Sequence, residues 1–145
     1  EEDEKKFFSL FAPVSDSIGI ERAGPIYRGV PMNAELAVGD TTQYGGAVQE
    51  VKICPQPFTS LQVAPDGNVT PCYSIEYPVI LGNVREKSLY SIWHGGVLKK
   101  FRQRMLNGRM SASFTCSVCN IIRHRMSPED SLDNARDRLK EVFGC

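Results

Sequence analysis

The sequence predicts an α+β fold: a small β-hairpin with surrounding helices, gathered around cysteines that converge on one centre. Three observations lead there. Strand-like residues flank a Pro65-Asp66-Gly67-Asn68 turn. Helical spacing of apolar residues recurs at 4–11, 85–108 and 127–144. Cys54 and Cys72 bracket the hairpin, while Cys116 and Cys119 follow the middle helices.

The chain has 145 residues, 41% of them hydrophobic, and a formal net charge of zero, enough apolar material for one modest core with an appendage. No run approaches the roughly 18 apolar residues that span a bilayer, so no membrane partner is expected. The N-terminus, "EEDEKKFFSLF", is acidic, lacks Met and resembles neither a signal peptide nor a natural start, so the chain reads as a fragment of something longer. Five cysteines is an odd count, whereas a small secreted domain usually pairs all of its cysteines. A reducing, cytoplasmic compartment is expected, and the Asn68-Val69-Thr70 sequon is discounted as a chance triplet.

Taken in order, "EKKFFSLF" (4–11) predicts a short helix, and "DSIGIER" (16–22) an alternating strand after it. Residues 23–46 dissolve into Gly, Pro and polar residues, read as a linker or excursion with a boundary at Gly45-Gly46. Order returns at 58–73, where Thr59, Leu61 and Val63 are expected on one strand face. Pro71 has no N–H to donate, so it places the second strand at an edge or ends it just before Cys72.

Ser88 is a fair N-cap for a helix carrying Leu89, Ile92 and Trp93 inward and stopped by Gly95-Gly96. Val97, Leu98, Phe101 and Met105 then form one face of a helix ending at Gly108. Ser127 as cap, Pro128 in the first turn, and Glu129 and Asp130 near the positive end of the dipole open a last helix. Its expected buried stripe is Leu132, Ala135, Leu139 and Val142.

The cysteines carry the chemistry. Cys54 and Cys72 have 17 residues between them, but a hairpin returns its ends to one neighbourhood. Cys116 and Cys119 form a C-x2-C, in which a local turn aims two sulfurs at one point. Four thiolates suit Zn2+ or an iron–sulfur cluster. Zinc ribbons usually present two short knuckles, and this chain has one knuckle plus two dispersed cysteines, so spacing favours the wider cluster. The plain alternative is that these cysteines are small buried hydrophobes.

Several motifs in order resemble one family. Cys54, Pro65-Asp66-Gly67, Cys72 five positions after the glycine, Leu81-Gly82-Asn83-Val84, the "SLYSIW" helix and the closing C-x2-C are similar to the SPASM domain over roughly residues 52–122. That domain is an auxiliary iron–sulfur region of many radical S-adenosylmethionine enzymes. Residues 7–22 also look like the last helix and strand of the partial barrel preceding it. The resemblance implies one 4Fe-4S cluster held by Cys54, Cys72, Cys116 and Cys119. It implies three parts: 1–45, the end of an upstream barrel plus linker; 46–126, the SPASM-like domain; and 127–145, a C-terminal helix. Two-cluster members have another cysteine six positions after the C-x2-C, where this chain has Arg125, so a second full cluster lacks ligands. Cys145 reads as a leftover of that second site, an alternate ligand or an accident of truncation, with accident preferred. The chain lacks the C-x3-C-x2-C that binds the S-adenosylmethionine cluster, so it is not expected to be catalytic alone. The resemblance implies that this cofactor belongs to an upstream barrel of the same parent enzyme, an oxidoreductase, in which this domain transfers electrons to or from a substrate radical or shapes the substrate pocket; in the family the substrates are often peptides or proteins.

Other residues have plainer readings. His94 and His124 are expected at the surface, although His124 lies within reach of a zinc site. Trp93 is expected to anchor a short helix rather than cover a cluster. Between positions 85 and 125, nine Arg and Lys residues stand against Glu86 alone. Lys99, Lys100, Arg102 and Arg104 are read as a solvated helix face, with nearby basic residues also offsetting cluster charge. A nucleic-acid partner is disfavoured because no aromatics interleave on the exposed face. The competing classes are a structural zinc-binding interaction module without redox activity and a disulfide-bonded secreted domain.

Overall fold

A computed structural model describes residues 1–21, 41–74 and 76–145. Most of the linker read at 23–46 therefore lies outside the described residues. The order is α1 (Glu2–Phe11), a 3-10 turn (Ala12–Val14), α2 (Gln56–Thr59), β1 (Gln62–Val63), β2 (Asn68–Thr70), β3 (Gly82–Asn83), α3 (Leu89–Trp93) and α4 (Gly96–Leu106). Then come α5 (Arg109–Ala112), α6 (Phe114–Val118), α7 (Ile121–Arg125), 3-10 turns at Pro128–Asp130 and Asp133–Ala135, and α8 (Arg136–Phe143). This is the expected α+β class, with the hairpin extended to three antiparallel strands in the order β1-β2-β3.

The hairpin pairs Gln62 with Thr70 and Val63 with Val69, and β3 adds Asn83 opposite Asn68. Its turn closes when the Gly67 N–H donates to the Ala64 carbonyl at 2.8 Å, and Asp66 accepts the Asn68 N–H at 3.0 Å. Gly67 has φ +87°, and a Cβ there would lie 2.7 Å from Asn83 Oδ1. Gly67→Ala therefore meets both backbone strain and a clash, and is expected to cost about 1–2 kcal/mol or more in urea unfolding. Pro71 ends β2 one residue before Cys72, although β2 is the central strand.

Thr59 lies in α2 rather than on a strand, and Val63 faces solvent. The Pro55-Gln56-Pro57 run favours a short helical turn, since Pro fixes φ near the helical value. Residues 16–21 form no strand, because no described neighbour pairs with them. Helix α1 forms as expected but buries none of its residues; Phe7 and Phe11 touch each other, with ring centroids 5.3 Å apart.

The core has three adjoining clusters. Ile53, Phe101, Met105, Leu106 and Ala112 make the first, with Leu132, Leu139 and Phe143 against it. Val69, Leu81, Ile92 and Leu98 bind the sheet to α3 and α4. Val51, Ile122 and Met126 form the third, and Val79 bridges the first two. Ser88 caps α3 as expected, its hydroxyl accepting the Ser91 N–H at 3.2 Å.

Several expected orientations fail. Leu89 and Val97 face solvent, because only one side of each helix meets the small sheet or the core. Arg102 is 6% exposed instead of lying on a solvated face. The last helix is broken: its Pro128 signal opens only a 3-10 turn, and the α-helix begins at Arg136. This later start turns Leu139 and Phe143 inward and leaves Val142 exposed. No helix among the described residues is long and apolar enough to cross a membrane.

Candidate metal centre

Each of the four expected cysteines has its own local support. Cys54 follows the buried Val51 and Ile53 and contacts the first and third core clusters. Cys72 leaves the sheet directly after Pro71, and its carbonyl accepts the Thr70 hydroxyl at 2.9 Å. Cys116 lies in α6, where the Ser113 hydroxyl caps the helix by accepting the Cys116 N–H at 3.1 Å. Cys119 is the C-cap of α6, so a single helical turn mounts both sulfurs of the C-x2-C.

All four cysteines line one cavity, whose empty volume is about 430 Å³ including its open mouth. The hairpin does return Cys54 and Cys72 to one neighbourhood, as the spacing predicts. Tyr73, Ile121 and Ile122 supply wall, and Arg109 stands at the cavity. All five cysteines are free thiols, and Cys145 lies exposed at the end of α8, away from this lining.

Burial raises three of these thiols, Cys54, Cys72 and Cys116. Burial pushes the Cys54 thiol well above its usual range, the Gln56 N–H opposes that rise, and the neighbouring cysteines add to it. Cys72 is pushed up to about 11 by burial, against the Ser74 N–H, with Cys116 and Cys119 adding to the rise. Burial also raises Cys116, whereas the Ser113 hydroxyl and the Arg109 charge lower it. A charged metal core would repay this by stabilising thiolate, releasing protons as it bound.

The donor set can be tested against each candidate group. Among the described residues, no three His, Cys, Asp or Glu side chains come close enough to share one metal ion. Four sulfurs around one cavity make an all-sulfur donor set, which suits an iron–sulfur core or zinc. His124 offers no nitrogen here: it is 5% exposed rather than at the surface, with Nδ1 3.3 Å from the Thr41 carbonyl. His94 is exposed as expected and lies against Tyr90. Trp93 contacts the sheet core and carries Arg102 over its ring at 4.1 Å, so it anchors a helix as expected.

Sequence reasoning missed Tyr73, Arg109 and Asp133. Tyr73 follows a ligand candidate directly, which is a usable signal. Its hydroxyl accepts from Gln56 Nε2 at 3.4 Å, and Arg125 lies over its ring at 5.4 Å. Burial raises the Tyr73 phenol, opposed by the Arg125 charge. Arg109 donates through Nη1 to the Cys119 carbonyl at 2.7 Å, and its N–H donates to the Lys52 carbonyl at 2.8 Å. Nothing in the sequence distinguishes it from the other eight basic residues of its stretch. Arg125 pairs with Glu21 at 3.4 Å.

Fold and cavity together describe a small sulfur-lined cofactor domain, and comparison with known proteins identifies its kind. Residues 54–120 match the SPASM family, described as an iron–sulfur cluster-binding domain. That match, with the relative described next, supports a SPASM domain of the kind associated with radical S-adenosylmethionine enzymes, with a cluster-binding role. The chain is similar to the S-adenosyl-L-methionine-dependent 2-deoxy-scyllo-inosamine dehydrogenase of Niallia circulans, with 31% identity over 68 residues. That alignment covers 46% of this chain and 27% of the relative. No solved structure matches the chain.

Proposed function

We propose that Cys54, Cys72, Cys116 and Cys119 hold one 4Fe-4S cluster in an auxiliary domain of a radical S-adenosylmethionine oxidoreductase. The observation that carries this reading is the convergence of four thiols from three separate stretches on one cavity, within a segment matched to a cluster-binding domain. When bound, such a group supplies a one-electron donor or acceptor beside a substrate radical. Residues 1–45 would close an upstream barrel in the same parent chain, where S-adenosylmethionine binds. Residues 46–126 would form the cluster domain, 127–145 would flank it, and a cytoplasmic setting would keep the thiols reduced.

The chain's own residues perform four tasks in this reading. The cysteines ligate, and the Gln56 and Ser74 N–H groups facing Cys54 and Cys72 offset sulfur charge. Arg109 places positive charge beside Cys116 while holding the Cys119 main chain. Ile121, Ile122 and Tyr73 restrict water at the wall. The Niallia circulans relative is named a dehydrogenase, and in a dehydrogenation begun by abstraction of one hydrogen atom the substrate radical has one further electron to lose, which this domain would accept.

Anaerobic reconstitution tests the reading. About four irons and four sulfides per chain, with broad visible absorption, are expected. About one zinc per chain without sulfide would reject the cluster and leave a structural zinc module. Replacing Arg109 by glutamine removes a nearby cation, which disfavours the more negative reduced state. The potential, followed by anaerobic redox titration, is expected to fall by about 40 mV, the one-electron equivalent of roughly 1 kcal/mol.

A further inference from the structure

We propose that Asp133 is a positioning residue for Cys54, clasping the segment ahead of that cysteine and thereby controlling how long the site retains iron. The inference rests on the reading of Cys54 as a cluster ligand. Asp133 lies 13 positions beyond the last residue matched to the SPASM family, so the domain match does not assign it a role.

The clasp is bidentate. Asp133 Oδ1 accepts the Ile53 N–H at 2.8 Å, and Oδ2 accepts the Lys52 N–H at 3.2 Å. On the other side, the Lys52 carbonyl accepts the Arg109 N–H at 2.8 Å. Val51 and Ile53, at 2% and 1% exposed, hold the same segment by burial. The chain immediately before Cys54 is thus fixed by its donors, by an acceptor and by its side chains.

Both carboxylate oxygens are committed to this long-range contact. Hydrogen bonds from N–H to an ionised carboxylate are the stronger kind. A partner that orients a metal ligand usually alters affinity tenfold or more when removed. Without Asp133, the Lys52 and Ile53 donors must turn to water, and the Cys54 sulfur loses its fixed approach to the cavity.

The test uses the full chain, reconstituted anaerobically as wild type, Asp133→Ala, Asp133→Asn and Leu139→Ala. Iron release to a ferrous chelator, the EPR spectrum of the reduced protein and the thermal midpoint are read for each. Asp133→Ala is expected to release iron roughly tenfold faster and to shift or broaden the EPR signal. Asp133→Asn retains one oxygen acceptor for Ile53 and should fall between it and wild type. Leu139→Ala weakens the same C-terminal segment without touching the clasp, and should keep the wild-type spectrum and release rate while lowering the midpoint. Asp133 variants indistinguishable from wild type overturn the inference, as does a Leu139→Ala variant that releases iron as fast as Asp133→Ala. A wild-type chain that takes up neither iron nor sulfide overturns the ligand reading and this inference with it.

Discussion

Cys72→Ala, reconstituted without oxygen, is expected to carry no more iron and sulfide than an untreated chain and to stay colourless. Cys72 lies on the cavity with its sulfur close enough to the other three for their charges to interact. Its place is set by Pro71, which stops the central strand, and by the Thr70 hydroxyl on its own carbonyl. The fifth thiol, Cys145, is exposed and is not among the residues that line the cavity. The matched control is Cys145→Ala, which should assemble fully. The two variants separate a four-cysteine site from one that recruits the chain end. The fold itself should survive the Cys72 change, because Cys72 belongs to none of the three core clusters. Iron and sulfide analysis alongside far-ultraviolet circular dichroism checks both halves of the expectation.

Arg102→Ala is expected to lose roughly 4 kcal/mol of stability, the largest such effect in the domain outside its apolar core. The guanidinium donates through Nε to the Pro57 carbonyl at 2.8 Å and through Nη1 to the Trp93 carbonyl at 3.3 Å. It lies over the Trp93 ring at 4.1 Å, with Phe143 at 5.5 Å. Nη2 is buried with no hydrogen-bond partner among the described residues, so the cation depends on its rings and two carbonyls. Truncation would leave a cavity, two unpaired acceptors and a lost cation–π contact worth about 1–2 kcal/mol. Arg102→Met keeps most of the volume and should cost less, about 2–3 kcal/mol. Arg102→Lys should not rescue fully, because an ammonium cannot reproduce a flat fork stacked on indole. Urea unfolding of the three variants distinguishes volume, hydrogen bonding and stacking.

Local signals were legible where the local chain decides the outcome. Ser88 caps α3, Pro-Asp-Gly-Asn turns the hairpin, and the four cysteines meet as their spacing suggested. Failures fall where long-range contacts compete. Ser127-Pro128 is a sound helix start, yet the helix stops after three residues and resumes at Arg136. In between, Asp133 gives its carboxylate to residues 80 and 81 positions away, a demand invisible in the local pattern. Arg102 has the periodicity of an exposed charge and is buried, because Trp93 and Phe143 enclose it from separate elements. His124 is drawn inside when the Gln43 N–H takes its carbonyl at 2.8 Å. A reading based on periodicity sees faces of helices, and these residues are governed by what crosses between them.

One short helix and its cap carry Cys116 and Cys119, whereas Cys54 and Cys72 arrive from separate places in the chain. Whatever joins these sulfurs closes loops of 17 and 43 residues at a single knot. Such cross-links remove freedom mainly from the unfolded chain, and the gain grows only slowly with loop length. Loading and mechanical cohesion are then one property of the molecule. If the proposed cluster is that knot, a chain without it keeps its apolar contacts and the α6 pair in register but loses one cross-link to the hairpin, so scarcity of iron would lower its stability without undoing its fold.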